Sequence, residues 1–436
     1  MIDTIIENGL LVSHENVIKN DIAIKNGKIF KIGNLKNTKA KERIDAKNLH
    51  ILPGVFDTQV HFREPGKTKK EDLKTGSLAA VAGGVTTVFD MPNNKPSITT
   101  KKLFKDKLKR AKNRMYSNYA FYFGAEKNNI KEINKVEKLD GCCGIKVFVG
   151  SSTGTLLVSN YDDIGRIMKN TRKIIAFHSE DEDELNRRTK YIKTNDPSSH
   201  PNWRNVDTAM ISTRKLINLA NKNKRKIHIL HISTGDEINL LKRQKKYVTC
   251  EVTPQHLTLS SPSCYNNLGT LAQMNPPIRS GKHKTILRNA FKKGLFEVVG
   301  SDHAPHLLSE KKLKYPNSPA GMPGVQTLLP ILLNEVSKKL ITITDVVRLT
   351  SYNPKKIFKF KNKGLIKKGY DADFTFVDLN KKQKVSNKMV KSRCGWTPFH
   401  GMNIQGWPVG TMIMGRKVFW KDKLVSRPIG QPLKFN

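Results

Sequence analysis

Gly300-Ser301-Asp302-His303-Ala304-Pro305-His306 follows a short run, Glu297-Val298-Val299, and places an aspartate and two histidines just beyond it. Near the other end of the chain an apolar run, Ile51 to Phe56, leads to His61-Phe62-Arg63-Glu64-Pro65. Apolar runs that deliver His and Asp at their C-terminal ends build metal-hydrolase sites in α/β barrels. Six further strand-like runs lie between these two: Val85–Met91, Tyr119–Gly124, Gly144–Val149, Ile174–Phe177, Ile227–Leu230 and Val248–Val252. With Gly54–Val60 and Val298–Gly300 they make eight strands. Most are separated by polar, helix-compatible stretches such as Asp72–Val81, Thr99–Asn113 and Asn205–Asn221. Eight βα units in series favour an α/β chain folded as a (β/α)8 TIM-type barrel over an open doubly wound sheet.

Residues 2–50 have another texture, with short β-like runs at Ile5–Val12, Asp21–Lys25 and Lys28–Ile32 and a hairpin turn at Asn26-Gly27. The texture returns at Asp373–Asp378 and Gly410–Trp420, and Gly369–Asp373 reads as a turn leading into a strand. The two ends are expected to pair into one small β-sandwich outside the barrel. That places the N-terminal part of the sandwich at 1–53, the hydrolase barrel at 54–362 and the C-terminal part of the sandwich at 363–436.

The 436 residues suffice for one large and one small domain, and 37 % apolar content supports a real core. No apolar stretch reaches the roughly 18 residues of a membrane span. The opening MIDTIIENGLLVS has no basic region before an apolar block, so no secretory signal is expected. Five scattered cysteines without a CxxC pair read as reduced thiols in a cytoplasm. The net charge of +41 is compatible with a nucleic-acid or acidic-membrane surface. Its lysines are spread along the whole chain, however, and no nucleic-acid-binding signature accompanies them. A solvated, lysine-rich surface is the expected reading, one that helps gather an anionic substrate.

Chemistry concentrates at the strand ends. His61, His178, His231 and Asp302 each follow a different predicted strand. Three imidazoles and a carboxylate suit Zn²⁺ with an open position for water. An aspartate beside such a metal can take the water's proton and return it to a leaving nitrogen. Lys146 sits inside an apolar run, where an unpaired ammonium is costly. Arg63 and Asn93 are strand-end polar residues able to grip a carboxylate, arginine through two parallel hydrogen bonds. Asn275 and His306 are further candidates for holding the substrate, whereas His303 only orients its neighbours.

The motifs LPGVFDTQVHFREPG (Leu52–Gly66), GGVTTVFDMPN (Gly83–Asn93), GIKVF (Gly144–Phe148) and AFHSED (Ala176–Asp181) are followed by HILHIST (His228–Thr234) and EVTPQHL (Glu251–Leu257). MNPPIR (Met274–Arg279), GSDHAPH and GLIKKGYDADF (Gly364–Phe374) complete the series. In this order they make the chain resemble the long, barrel-type dihydroorotases of the cyclic amidohydrolase superfamily. The resemblance implies metal ligation by His61, His178, His231 and Asp302, with Asp302 the general base and acid. It implies that Arg63, Asn93, Asn275 and His306 hold the substrate, and that Ala320 and Gly321 of the SPAGMPG loop contact it through their backbone. Two departures stand out. Gln59 replaces the first histidine of the usual His-x-His pair, and a glutamine oxygen is a weaker zinc ligand than imidazole. Gly150-Ser151-Ser152 lacks the aspartate that bridges the metals in many long dihydroorotases. Lys146 matches instead the N-carboxylated lysine of allantoinases and hydantoinases. One or two zinc ions are therefore expected, with Lys146 as the bridge.

The leading expectation is reversible opening of the dihydroorotate ring to N-carbamoyl-L-aspartate, a step of pyrimidine synthesis. An allantoinase or hydantoinase is the second enzyme reading, allowed by Lys146 and opposed by Arg63. A non-catalytic partner of aspartate carbamoyltransferase is the third, and nucleic-acid binding the fourth. The resemblance also implies a homodimer.

Overall fold

The computed structural model describes residues 1–152 and 154–436. Eight parallel strands form one sheet in sequential order: β1 (Val55–Val60), β2 (Val85–Asp90), β3 (Asn118–Gly124), β4 (Cys142–Phe148), β5 (Ile175–His178), β6 (Ile227–Ile229), β7 (Val248–Val252) and β8 (Val298–Val299). Every residue of β1 to β6 is buried, as expected for parallel strands covered on both faces. The sheet curls so that β8 returns to β1. The backbone N–H of His61 donates to the His303 carbonyl at 2.7 Å, and Val60 bridges His303 in parallel. Asp302 is thereby delivered beside Gln59 and His61. Gly300 is required here, because a Cβ would lie 2.4 Å from a carboxylate oxygen of Glu251.

The chain ends form the sandwich. A seven-stranded sheet runs Lys423–Leu424, Arg416–Trp420, Asn403–Ile413, Phe374–Lys384, His50–Pro53, Leu10–Val12, Val17–Lys19, so both ends contribute. The join is antiparallel, with Phe374 opposite Pro53. A four-stranded sheet drawn from the N-terminal residues faces it, and Ile6, Ile24, Ile51, Phe374, Phe376 and Met412 share one core between them. The predicted single run Ile5–Val12 is corrected: it breaks at Asn8, whose φ is 63°. Ile2–Glu7 joins the four-stranded sheet and Leu10–Val12 the seven-stranded one. Gly9 completes the break, since a Cβ there would meet the Ile51 side chain at 2.3 Å.

Behind the β1 and β2 ends lies a buried ion pair. Lys107 Nζ stands 2.7 Å from Asp90, both side chains being wholly buried. It also donates to the Met91 carbonyl at 3.1 Å and to Asn94 Oδ1 at 2.8 Å, and it lies over the Phe121 ring. The other Asp90 oxygen accepts from Phe62 N–H at 2.8 Å, tying β2 to the segment after His61. Removing one partner leaves an uncompensated buried charge. Lys107→Met is expected to lower unfolding free energy by about 3–5 kcal/mol. Urea titration checks this, and a loss below about 1 kcal/mol would contradict it.

Candidate active site

The β-strand C-termini converge on one cavity lined by Gln59, His61, Arg63, Asn93, Lys146, Phe148, Ser152, His178, His231, Asn275, Asp302, Ala304, Ala320 and Gly321. Among its residues Arg63, His231 and Asp302 have φ of 60°, 38° and 44°. Non-glycine residues rarely hold this left-handed conformation, and it turns the chain sharply just as each strand ends. Local strain at these three points aims the side chains inward.

The ligand candidates stand as two pairs. His61 Nε2 lies 3.2 Å from Asp302 Oδ1, and His61 Nδ1 donates to Asn93 Oδ1 at 2.7 Å. That tautomer leaves an Nε2 lone pair facing a carboxylate, an arrangement a cation would satisfy. His178 Nδ1 lies 3.0 Å from His231 Nε2. His178 Nε2 donates to Glu180 at 2.9 Å, so its lone pair is on Nδ1, toward His231. Lys146 is within electrostatic reach of Asp302, His178 and His231. Among the described residues no group of three or more His, Cys, Asp or Glu side chains forms a ready metal cage. The donor chemistry nevertheless fits a divalent cation. Burial holds His61, His178 and His231 below the usual histidine pKa, keeping the imidazoles neutral and their lone pairs available. His231 Nδ1 and Gln59 Oε1 are buried without a hydrogen-bond partner among the described residues. Gln59 uses its other end, Nε2, to donate to Asp302 Oδ1 at 3.0 Å.

Lys146 is 1 % exposed, and its ammonium sits over the Phe148 ring at 4.4 Å. Burial brings its pKa down to about 7, against the opposing pull of Asp302 and Glu251. Much of the population is then neutral amine near pH 7. Arg63 is also lowered by burial, to about 10, and so remains a guanidinium at neutral pH. Its Nε donates to the Pro305 carbonyl at 3.2 Å and its Nη2 lies 3.2 Å from His306 Nε2, while the side chain lines the cavity.

Three residues expected to hold substrate have structural partners as well. Asn93 lines the cavity and orients His61. Asn275 lines it while its Oδ1 accepts from His200 Nε2 at 2.9 Å and its Nδ2 donates to Ser152 Oγ at 3.4 Å. His306 is 1 % exposed and sits against Arg63, its Nε2 3.2 Å from Arg63 Nη2. Its Nδ1 accepts from Lys70 at 3.0 Å, and its Nε2 donates to the Ala320 carbonyl at 3.1 Å. Gly321 lines the wall with φ of 144°, where a Cβ would lie 2.5 Å from the Ala304 carbonyl. His303 Nδ1 accepts from Gly324 N–H at 3.0 Å.

The sequence reading missed the clamp on His178. Glu180 is wholly buried and bonded by Arg204 Nε at 3.1 Å and by Arg204 Nη2. Burial alone would raise its carboxyl pKa, but Arg204 and His178 outweigh burial and hold it well below the usual range. Arg204 Nη2 also donates to the Ser151 carbonyl at 2.8 Å, linking this ligand to the loop after β4. The local signal was a glutamate two residues beyond a strand-end histidine. Its arginine partner lies 24 residues on, with no periodicity to connect them.

A model described as the amidohydrolase family matches residues 50–418, and one described as the urease alpha-subunit N-terminal domain matches residues 1–54. A protein named dihydroorotase from Methanosarcina acetivorans is 32 % identical over 98 % of this chain and 94 % of its own length. A dihydroorotase from Pyrococcus furiosus is 34 % identical over 98 % of this chain and 95 % of its own length. Among solved structures, the L-hydantoinase (dihydropyrimidinase) of Arthrobacter aurescens superposes with a TM-score of 0.95 at 27 % identity, covering 99 % of this chain and 100 % of that one. With a barrel of this topology and relatives of this extent, the chain belongs to the amidohydrolase family and, within it, to the dihydroorotases.

Proposed function

We propose that this chain catalyses the reversible, zinc-dependent hydrolysis of (S)-dihydroorotate to N-carbamoyl-L-aspartate, a cytoplasmic step of pyrimidine synthesis. The observation that carries the reading is Arg63. A buried guanidinium shares one cavity with His61, His178, His231 and Asp302, and dihydroorotate presents both a ring amide and a carboxylate. His61 and Asp302 would hold one zinc, and His178 and His231 a second, with Lys146 lining the same cavity. Zinc, when bound, supplies Lewis acidity at the ring carbonyl and makes water acidic enough to react near neutrality. Lys146, partly neutral near pH 7, would add through Nζ to the carbon of carbon dioxide as one C=O π bond opens and a proton passes to solvent, giving an anionic carbamate able to serve as a further metal ligand.

The remaining work falls to the chain's own groups. Arg63 and Asn93 hold the side carboxylate, and Ala320 and Gly321 line the same cavity. Asp302 takes a proton from water as the C–O bond forms at the amide carbon. It returns that proton to the ring nitrogen as the C–N bond breaks, and the reverse sequence closes the ring.

The hydantoinase reading has one specific support, the superposition on L-hydantoinase together with Lys146. Parallel assays on dihydroorotate, hydantoin and allantoin separate the two. Dihydroorotate is expected to be preferred by about 100-fold in kcat/KM, the value of a matched buried charge pair. A preference for hydantoin or allantoin would replace this proposal with the second reading. Gln59→His is expected to tighten binding of one metal about tenfold, measured by equilibrium dialysis, because imidazole replaces an amide beside Asp302. Unchanged affinity would show that Gln59 does not act on the metal.

A further inference from the structure

Lys311 is a buried lysine, 0 % exposed, on the short helix Leu308–Lys311 that follows the GSDHAPH segment. Nothing in the proposed chemistry uses it. Unlike Lys107 or Lys363, it has no ion pair with a carboxylate among the described residues, and burial is the cause that brings its pKa down to about 7. An unpaired ammonium at such a place is costly, so its position calls for a specific set of acceptors.

Those acceptors are backbone carbonyls on two different segments. Lys311 Nζ donates to the Gln273 carbonyl at 3.2 Å and to the Pro319 carbonyl at 2.8 Å. Gln273 is two residues before Asn275, and Pro319 immediately precedes Ala320 and Gly321. The Gln273 carbonyl accepts a second bond, from Gly321 N–H at 2.9 Å, so the two segments are joined at the atom that Lys311 grips. The Lys311 carbonyl in turn accepts from Ser318 Oγ at 3.2 Å and from Thr270 Oγ1. Lys311 also follows His306, which bonds the Ala320 carbonyl. A neutral amine keeps two N–H donors, so both contacts survive loss of the proton.

We infer that Lys311 is a positioning residue for substrate: through the Gln273 and Pro319 carbonyls it sets the cavity wall formed by Asn275, Ala320 and Gly321. The inference rests on the reading that this wall holds dihydroorotate. It touches no candidate metal ligand, so its effect falls on substrate binding and not on metal content.

The test uses the full-length, zinc-loaded protein. Lys311→Met removes both donors at nearly constant volume. KM for dihydroorotate is expected to rise about tenfold, with kcat within about twofold and bound zinc unchanged. Lys311→Arg, which retains donors of similar reach, is expected to recover most of the loss. A folded Lys311→Met with the wild-type KM overturns the inference, as does a loss of zinc that accounts for the change. Should Lys311→Met fail to fold, Lys311→Gln carries the same measurement, and a wild-type KM there overturns it equally. Asn275→Ala is assayed alongside. If it raises KM while Lys311→Met does not, only the role of Lys311 falls. If neither raises KM, the reading of the wall falls with it.

Discussion

Asp302→Asn is expected to abolish measurable turnover of dihydroorotate while the protein stays folded and keeps part of its metal. The substitution is nearly isosteric. An amide oxygen can still accept the hydrogen bond that Gln59 Nε2 gives Asp302 Oδ1 at 3.0 Å. What it cannot do is take a proton and pass it on. Asp302 is 6 % exposed, and its left-handed backbone fixes the carboxylate beside His61. Among the described residues no other carboxylate lines the cavity to replace it. General acid–base groups contribute on the order of 10²–10⁴ in rate, and this one serves both directions of proton transfer. A loss of about 10³-fold in kcat is therefore expected, with metal analysis showing retained zinc. Activity within about tenfold of wild type would contradict the acid–base role.

Arg63→Ala is expected to raise KM for dihydroorotate by about 100-fold with a smaller change in kcat. Arg63 is 3 % exposed and backed by the Pro305 carbonyl and His306. A carboxylate entering this cavity gives up its hydration, and a charge-assisted fork is what compensates for that loss. Truncating one member of a buried charge pair costs about 2–5 kcal/mol, which is roughly 30-fold to several thousand-fold in binding. Arg63→Lys should recover part of the loss, since a point charge replaces a bidentate one. Steady-state kinetics with hydantoin as a neutral control checks the assignment. Equal losses on both substrates would indicate a structural defect and not a lost carboxylate contact.

The barrel was legible because its strands are short apolar runs ending in polar chemistry, and all eight predicted strands appear at nearly their predicted limits. The pairing of the two chain ends was legible from texture alone. Ile5–Val12 misled because apolar residues flank Asn8 and Gly9 on both sides, and only the left-handed Asn8 reveals the change of sheet. His61, His178, His231, Asp302 and Lys146 could be named individually from strand ends and motifs. Their division into two pairs follows from barrel closure through His303, a contact between residues more than 240 apart. The Glu180–Arg204 clamp and the place of Lys311 were invisible for the same reason: each depends on side chains meeting backbone or charge from segments far away in sequence. His306 was read as a substrate contact from its motif, and its contact with Arg63 emerged only from the fold.

Turnover of L-dihydroorotate by the purified, zinc-supplemented protein, followed by loss of the ring's ultraviolet absorbance, tests the central claim most directly. Ring opening that a chelator abolishes and added zinc restores is the predicted result. Absence of turnover in protein that has bound zinc would contradict it.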